Sequence, residues 1–293
     1  MGIVAERVRQ VRQNITSTRR RDVLRWVDPH PEKLKDNTTR VFVTGHMVDD
    51  KRMGRQPTPR FPDTAEAIET AKTRIGEKLD FIYEKVLGEG KPFEVVLCSG
   101  SAGTDLLALE WVLAKNTTLR EEGKPEIGIR AFLPYAKDSF VEHSVAYGEN
   151  SGKWSNTFSQ LDVVEPQFRR RGHRAIYEGA TLTKALVDEA MRIAGKKKNQ
   201  AYVELNNRML GFLRKQDYVL ALWDGKLPNG PGGTYDSLLK AGKVVAEDHV
   251  LFVDTDGILQ NAKPGERSMN DVAQLRRSER WHPRKLFSIG PIH

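Results

Sequence analysis

Two glycine-rich segments stand where backbone amides can hold an anion. The first is GSAGTD, Gly100 to Asp105, directly after an apolar run that ends at Ser99. The second is GPGGTYD, in which Gly230, Gly232, Gly233 and Thr234 follow the apolar run Tyr218 to Trp223 and the pair Asp224-Gly225. A glycine-rich turn that runs into a helix aims backbone N–H groups and the positive end of the helix at one spot, which suits a phosphate. On this reading Ser99, Gly100, Ser101, Gly103, Thr104 and Asp105 line one loop. Asp224, Gly225, Gly232, Gly233 and Thr234 line the other, with Thr234 capping the helix that carries Asp236. Ordinary turn chemistry yields such stretches too, so the argument rests on their repetition, each between a buried strand and a helix.

Polar side chains gather at the ends of two further apolar runs. VFVTG is followed by His46, Asp49 and Arg52, then by a proline-spaced loop that includes Arg60. Glycine at a strand end, here Gly45, lets a backbone approach a ligand, and the proline spacing makes the loop stiff. The run Ile129 to Leu133 is followed by Pro134 and KDSFVEHSV, which puts Ser139 at the same edge. Cys98, the single cysteine, lies in the apolar run VVLCS and reads as a small buried side chain rather than a nucleophile. No cluster has metal-ligand spacing, and no cofactor is expected.

Composition narrows the classes. The chain has 293 residues, 39% of them hydrophobic and 29% charged, with no apolar stretch long enough to span a bilayer. One cysteine excludes an intramolecular disulfide framework and fits a reducing compartment, so the expected location is the cytoplasm, away from membranes. The net charge of +8 invites a nucleic-acid partner. The basic clusters Arg19 to Arg21, Arg169 to Arg174, Lys196 to Lys198 and Arg276 to Lys285 lie apart, without a zinc-finger or RNA-binding signature, so nucleic acid is open but not favoured.

The elements that must position these groups follow from periodicity. Residues 1–37 read as a helical extension, with Ile3, Val4, Val8, Val11 and Ile15 at helical spacing and Val23, Leu24, Trp26 and Val27 following. This extension is expected to pack on the core or to serve as an oligomer contact. Strands are expected at Val41 to Thr44, Val95 to Ser99, Ile129 to Leu133, Tyr218 to Trp223 and Val250 to Val253, with a short one at Val163-Val164. Tyr218 to Trp223 is too continuously apolar for one wet face, so the sheet is parallel and buried on both faces. Helices separate the strands; the first carries Ala67, Ile68, Ala71, Ile75, Leu79, Ile82 and Val86 on one face behind a cap at Asp63 or Thr64. A helix over Leu182 to Ile193 lies in an insertion of about residues 165–200, Gln167 to Arg174 reads as a surface loop, and a helix from about Tyr202 to Phe212 carries Arg208. The expected architecture is an α/β, Rossmann-like, doubly wound sheet over residues 38–256, with helices on both faces and a polar, basic tail at 257–293.

The order of GSAGTDLLALEWVLA, a strand ending in LP, RMLGFLRKQDYVLALWDG and GPGGTYDSL resembles the SLOG superfamily. That Rossmann-like group includes the LOG phosphoribohydrolases, the DprA DNA-processing proteins and bacterial conflict-system domains that bind nucleotide-derived ligands. GHMVDD…RFP is similar to the last kind. The resemblance covers roughly Arg40 to Asp254. It implies that Arg208, on the helix before the central strand, and Asp236, after the glycine turn, are the catalytic pair if the chain cleaves a nucleotide's N-glycosidic bond. Ser237 stands where such enzymes carry a second acid, and Trp223-Asp224-Gly225 stands in place of a proline-glycine pair. The resemblance therefore implies a nucleotide-ligand binder, a sensor in a bacterial defence or signalling system, with His46, Asp49, Arg52 and Arg60 closing over the ligand. An N-glycoside hydrolase is the alternative and a DprA-like DNA-binding protein a weaker one; a homo-oligomer is expected.

Overall fold

The computed structural model describes residues 24–26, 37–49, 60–164, 167–170, 176–178, 184, 187–188, 200–223 and 233–255. The tail at 257–293, most of 1–37, and Arg52, Asp224, Gly225 and Gly232 lie outside them. In chain order the strands are β1 (Leu24–Trp26), β2 (Thr39–Gly45), β3 (Phe93–Leu97), β4 (Gly128–Phe132), β5 (Val163–Val164), β6 (Gln167–Arg170), β7 (Ile176–Glu178), β8 (Tyr218–Trp223) and β9 (Val250–Asp254). The helices are α1 (Ala65–Gly88), α2 (Thr104–Glu121), α3 (Lys137–Ser144), α4 (Ser151–Ser159), α5 (Gln200–Leu210) and α6 (Thr234–Ala241).

Six strands form one sheet in the order β5-β4-β3-β2-β8-β9, and every neighbouring pair is parallel. The fold is the expected α/β, Rossmann-like architecture. Both faces are dry: α1 and α2 lie in the core that holds Val41, Val43, Val95, Leu97, Leu220 and Leu222. The opposite residues Phe42, Val96, Val219, Ala221 and Trp223 share a core with α5 and α6. Burying each such aliphatic or aromatic side chain stabilises the fold by roughly 1.5–3 kcal/mol, which is why continuous apolar runs mark these strands.

α1 shows how local sequence sets an element. Thr64 is extended (φ −114°, ψ 150°) and its hydroxyl accepts from the Ala67 N–H at 3.3 Å, satisfying one of the helix's first amides. Ala67, Ile68, Ala71, Ile75, Leu79, Ile82 and Val86 are then all buried along one stripe. At the amino edge of the sheet Arg40, 1% exposed, donates to Glu94 at 3.1 Å, and Arg130 donates to the same carboxylate at 2.9 Å. Asp217 there accepts from the backbone N–H groups of Arg40 and Arg214. A buried charge needs such partners, and these tie β2, β3, β4 and the start of β8 together.

Two expectations change. Leu24 to Trp26 is a strand rather than part of a helix, and Gln167 to Arg170 is its antiparallel partner rather than a loop; with β7 they form a separate three-stranded sheet. Arg169 and Arg170 thus lie outside the six-stranded sheet, as expected, but inside regular structure. Three residues of helical-looking apolar spacing cannot hold a helix when a strand partner far along the chain offers the backbone its hydrogen bonds.

Candidate functional site

Chain order defines the location. From β2 the chain winds outward through β3, β4 and β5, then returns to β8 and β9 on the other side of β2. Connections therefore leave β2 and β8 in opposite directions, and their loops part at the carboxyl ends of these two strands. In open α/β sheets this divergence is where ligands bind. His46 N–H donates to the Leu222 carbonyl at 3.1 Å, fixing the floor of the crevice.

The β3–α2 loop is closed from within. Asp105, in the first turn of α2 and 5% exposed, accepts through Oδ2 from the backbone N–H groups of Ser99 (3.0 Å), Gly100 (2.9 Å) and Ser101 (3.2 Å). The Ser99 hydroxyl also donates to it, at 3.3 Å, and shares a 2.7 Å hydrogen bond with the Ser101 hydroxyl. The three amides expected to hold a phosphate hold the chain's own carboxylate instead. An acceptor four to six residues downstream competes locally for these donors, and no diffusing ligand matches that proximity. Burial pushes the Asp105 carboxyl up to about 6, outweighing the downward pull of the amides.

The loop's glycines serve this packing. Gly103 has φ +120°, and a Cβ there would lie 2.9 Å from the His46 carbonyl oxygen and from the Val48 nitrogen. A Cβ on Gly45 would run into the Thr104 side chain, whose hydroxyl donates to the His46 carbonyl at 2.9 Å. Gly45, Gly103 and Thr104 therefore bring the β2 loop against the start of α2. Val48 N–H donates to Ala102 O, Ala102 N–H to Ser144 O, and the Tyr147 hydroxyl to Val48 O, which continues the seam to the end of α3.

Asp49 closes the proline-spaced loop. Its carboxylate accepts from the N–H groups of Arg60 (3.0 Å) and Phe61 (3.1 Å), while its own N–H donates to Phe61 O at 2.7 Å. Burial raises its pKa against the pull of those amides and of nearby His46 and Arg60. His46, Asp49 and Arg60 are thus together at the end of β2, with Asp49 acting on the backbone. Ser139 is engaged elsewhere: its hydroxyl accepts from Lys184 N–H at 3.0 Å, anchoring the insertion on α3.

The second glycine loop runs into α6, which packs on β8 and β2. Gly233 is the N-cap residue and Thr234 the first helical one, so the expected Thr234 cap is corrected: no side chain caps this helix among the described residues. Thr234, Ser237, Leu238 and Ala241 form the buried stripe, at helical spacing. Ser237 is fully buried, and its hydroxyl has no hydrogen-bond partner among the described residues. The sequence singles Ser237 out only through the resemblance, at the place of a second acid and outside the expected site residues, while the 234-237-238-241 spacing marks it as facing inward. Thr44, Cys98 and Asn206 add polar groups to the same side of the sheet; the Cys98 thiol donates to Asn206 Oδ1 at 2.9 Å, and burial raises its pKa strongly. The raised pKa keeps that thiol in its protonated form.

Arg208 and Asp236 are both half-buried, in the last turn of α5 and the first turn of α6. These two helices pack on each other, and Lys240 donates to Asn207 across them at 2.6 Å. Among the described residues no cluster of three or more His, Cys, Asp or Glu has the arrangement of a metal site, and no helix is long and apolar enough to cross a membrane. No protein-family model and no curated protein matches the chain. One solved structure, an α/β hydrolase superfamily protein from Enterococcus faecalis, is similar at 12% identity over 84% of this chain and 91% of that one, with a TM-score of 0.19, too low to carry an argument about fold or chemistry.

Proposed function

We propose that the chain binds a nucleotide or nucleotide-derived small molecule in the crevice at the carboxyl ends of β2 and β8, as a sensor in a bacterial defence or signalling system. The observation that carries this reading is the reversal of strand order at β2 and β8, with α6 starting beside it. With the β3–α2 amides committed to Asp105, the phosphate falls to the α6 end: Gly232, Gly233 and the first-turn amides, where the helix dipole favours an anion. His46 and Arg60, gathered with Asp49 at the end of β2, would meet the ligand from that side, and Arg208 would supply a guanidinium for the phosphate.

Calorimetry with a panel of nucleotides and NAD-related compounds, combined with chromatography for released base, tests this directly. Arg208→Ala should weaken binding by about one to two decades, the loss of a charge-assisted phosphate contact of roughly 1.5–3 kcal/mol. Absence of binding across the panel overturns the proposal. The packing of α5 on α6 favours one second reading, N-glycoside hydrolysis, with Asp236 stabilising positive charge on the departing sugar. Under it, wild type releases base, and Asp236→Asn binds without turnover. Under the binding reading both proteins leave the ligand intact.

Ser237 gives a different readout. An unpartnered buried hydroxyl costs about 1–3 kcal/mol, so Ser237→Ala should raise the melting temperature of the ligand-free protein. If that hydroxyl finds its partner in the ligand, the same variant binds more weakly. A variant that is both less stable and unchanged in affinity removes Ser237 from the site.

A further inference from the structure

α5 carries Arg208, yet apolar packing alone does not fix the height of this helix on the sheet. Leu205, Met209 and Leu210 are buried, and helices packed through such side chains slide past their neighbours by about 1–2 Å. A polar contact sets a register, because a hydrogen bond weakens once donor and acceptor drift beyond ~3.2 Å. Two such contacts lie one helical turn apart on the inward side of α5. The Tyr202 hydroxyl shares a 2.7 Å hydrogen bond with the Tyr135 hydroxyl and a 3.1 Å one with the Ser144 hydroxyl. Asn206, four residues on and 2% exposed, accepts from the Cys98 thiol just past β3 at 2.9 Å.

The partners of Tyr202 belong to the opposite wall. Tyr135 is buried just past the carboxyl end of β4, with its ring edge-on to that of Tyr202 and the centroids 6.0 Å apart. Burial raises the pKa of both phenols, so each keeps its proton and can donate as well as accept. Ser144 is the last residue of α3, and its carbonyl accepts from the Ala102 N–H at 2.9 Å. The Ala102 carbonyl in turn accepts from the N–H of Val48, two residues beyond His46, at 3.1 Å. Tyr202 is therefore the point at which the hydrogen-bonded seam that holds the β2 loop reaches the helix that carries Arg208.

From this continuity we infer that Tyr202 is a positioning residue: its bonds to Tyr135 and Ser144 hold α5 at the height where the Arg208 guanidinium meets the ligand's phosphate while the β2 loop meets the rest of the ligand. Tyr202 acts through Arg208 and not on the ligand. The inference rests on the crevice reading for what Arg208 holds.

Calorimetry of adenosine 5′-monophosphate against adenosine, each with the full chain, is the test, since only the first offers Arg208 a phosphate. Tyr202→Phe removes one hydroxyl and keeps the ring; it should weaken the monophosphate about threefold to tenfold, short of the loss expected for Arg208→Ala, and leave adenosine unchanged. Tyr135→Phe and Ser144→Ala each remove one of the two bonds and should act in the same direction with smaller effect. In an Arg208→Ala background Tyr202→Phe should have no further effect, because a residue that acts only through another shows no additivity with it. A lower melting temperature with both affinities unchanged, equal losses for monophosphate and adenosine, or full additivity with Arg208→Ala overturns the inference. If wild type binds neither compound, the result counts against the nucleotide reading alone, and phenylglyoxal labelling of the free protein, read by peptide mass spectrometry, decides the role of Tyr202. Arg208 should then label about threefold faster in Tyr202→Phe than in wild type while Arg120 on α2 labels at the same rate in both, as expected when α5 alone is loosened; unchanged labelling of Arg208 overturns the inference.

Discussion

Asp105→Ala should destabilise the protein by at least about 3 kcal/mol, because three buried amides lose their only shared acceptor and each costs roughly 1 kcal/mol or more when left bare. The donors are Ser99, Gly100 and Ser101, all on the loop between the sheet and α2. Asp105→Asn keeps an acceptor oxygen in the same place and should retain the fold. Its effect is on pH dependence. The folded carboxyl titrates at about 6, above the ordinary 3.8, so between these values the folded state holds a proton that the unfolded state has lost. The stabilisation from this proton is complete below pH 3.8 and disappears as pH rises through about 6, a loss on the order of 3 kcal/mol. Asp49 and Asp217, also raised by burial, act in the same direction, so the informative quantity is a difference. Urea denaturation at pH 4.5 and pH 7.5 should show Asp105→Asn gaining on wild type at the higher pH. Parallel profiles would remove Asp105 as the titrating group.

This loop also marks the limit of what the residues alone could reveal. The strands were legible because each is a run buried on both faces: Tyr218 to Trp223 matches β8 end to end, and β2, β3, β4 and β9 fall within two residues of expectation. The gathering of His46, Asp49 and Arg60 at the end of β2 was legible from their position after a strand-end glycine. The fate of the GSAGTD amides was not, because glycine-rich turns look alike whether a phosphate or a carboxylate fills them. The decisive feature is Asp105 itself, an acceptor four to six residues from the donors, whose carboxylate reads from sequence as a ligand group just as readily as a partner for the loop. The pairing of Leu24–Trp26 with Gln167–Arg170 was invisible for another reason. Short strands are specified by their partner, and here the partner is an insertion far along the chain.

Gly103→Ala and Gly233→Ala separate architecture from binding. At Gly103 the backbone has φ +120°, which an L side chain rarely adopts, and the new Cβ would meet the His46 oxygen and Val48 nitrogen at 2.9 Å. Both are backbone atoms of the β2 loop, pinned by the Val48 bond to Ala102 and the Thr104 bond to His46, so neither can rotate aside. Strain of this kind costs about 1–3 kcal/mol before any displacement. The variant should melt well below wild type, and the β2 loop should part from α2. Gly233 differs on each count: its φ is −86°, and a Cβ there meets nothing within 4 Å. Gly233→Ala should leave stability within about 0.5 kcal/mol of wild type. If a phosphate sits on the first turn of α6, the added methyl group obstructs its approach to the amides and nucleotide affinity falls while the melting temperature holds. Unchanged affinity in that variant would move the phosphate away from α6 and leave His46, Arg60 and the β2 end as the anchor.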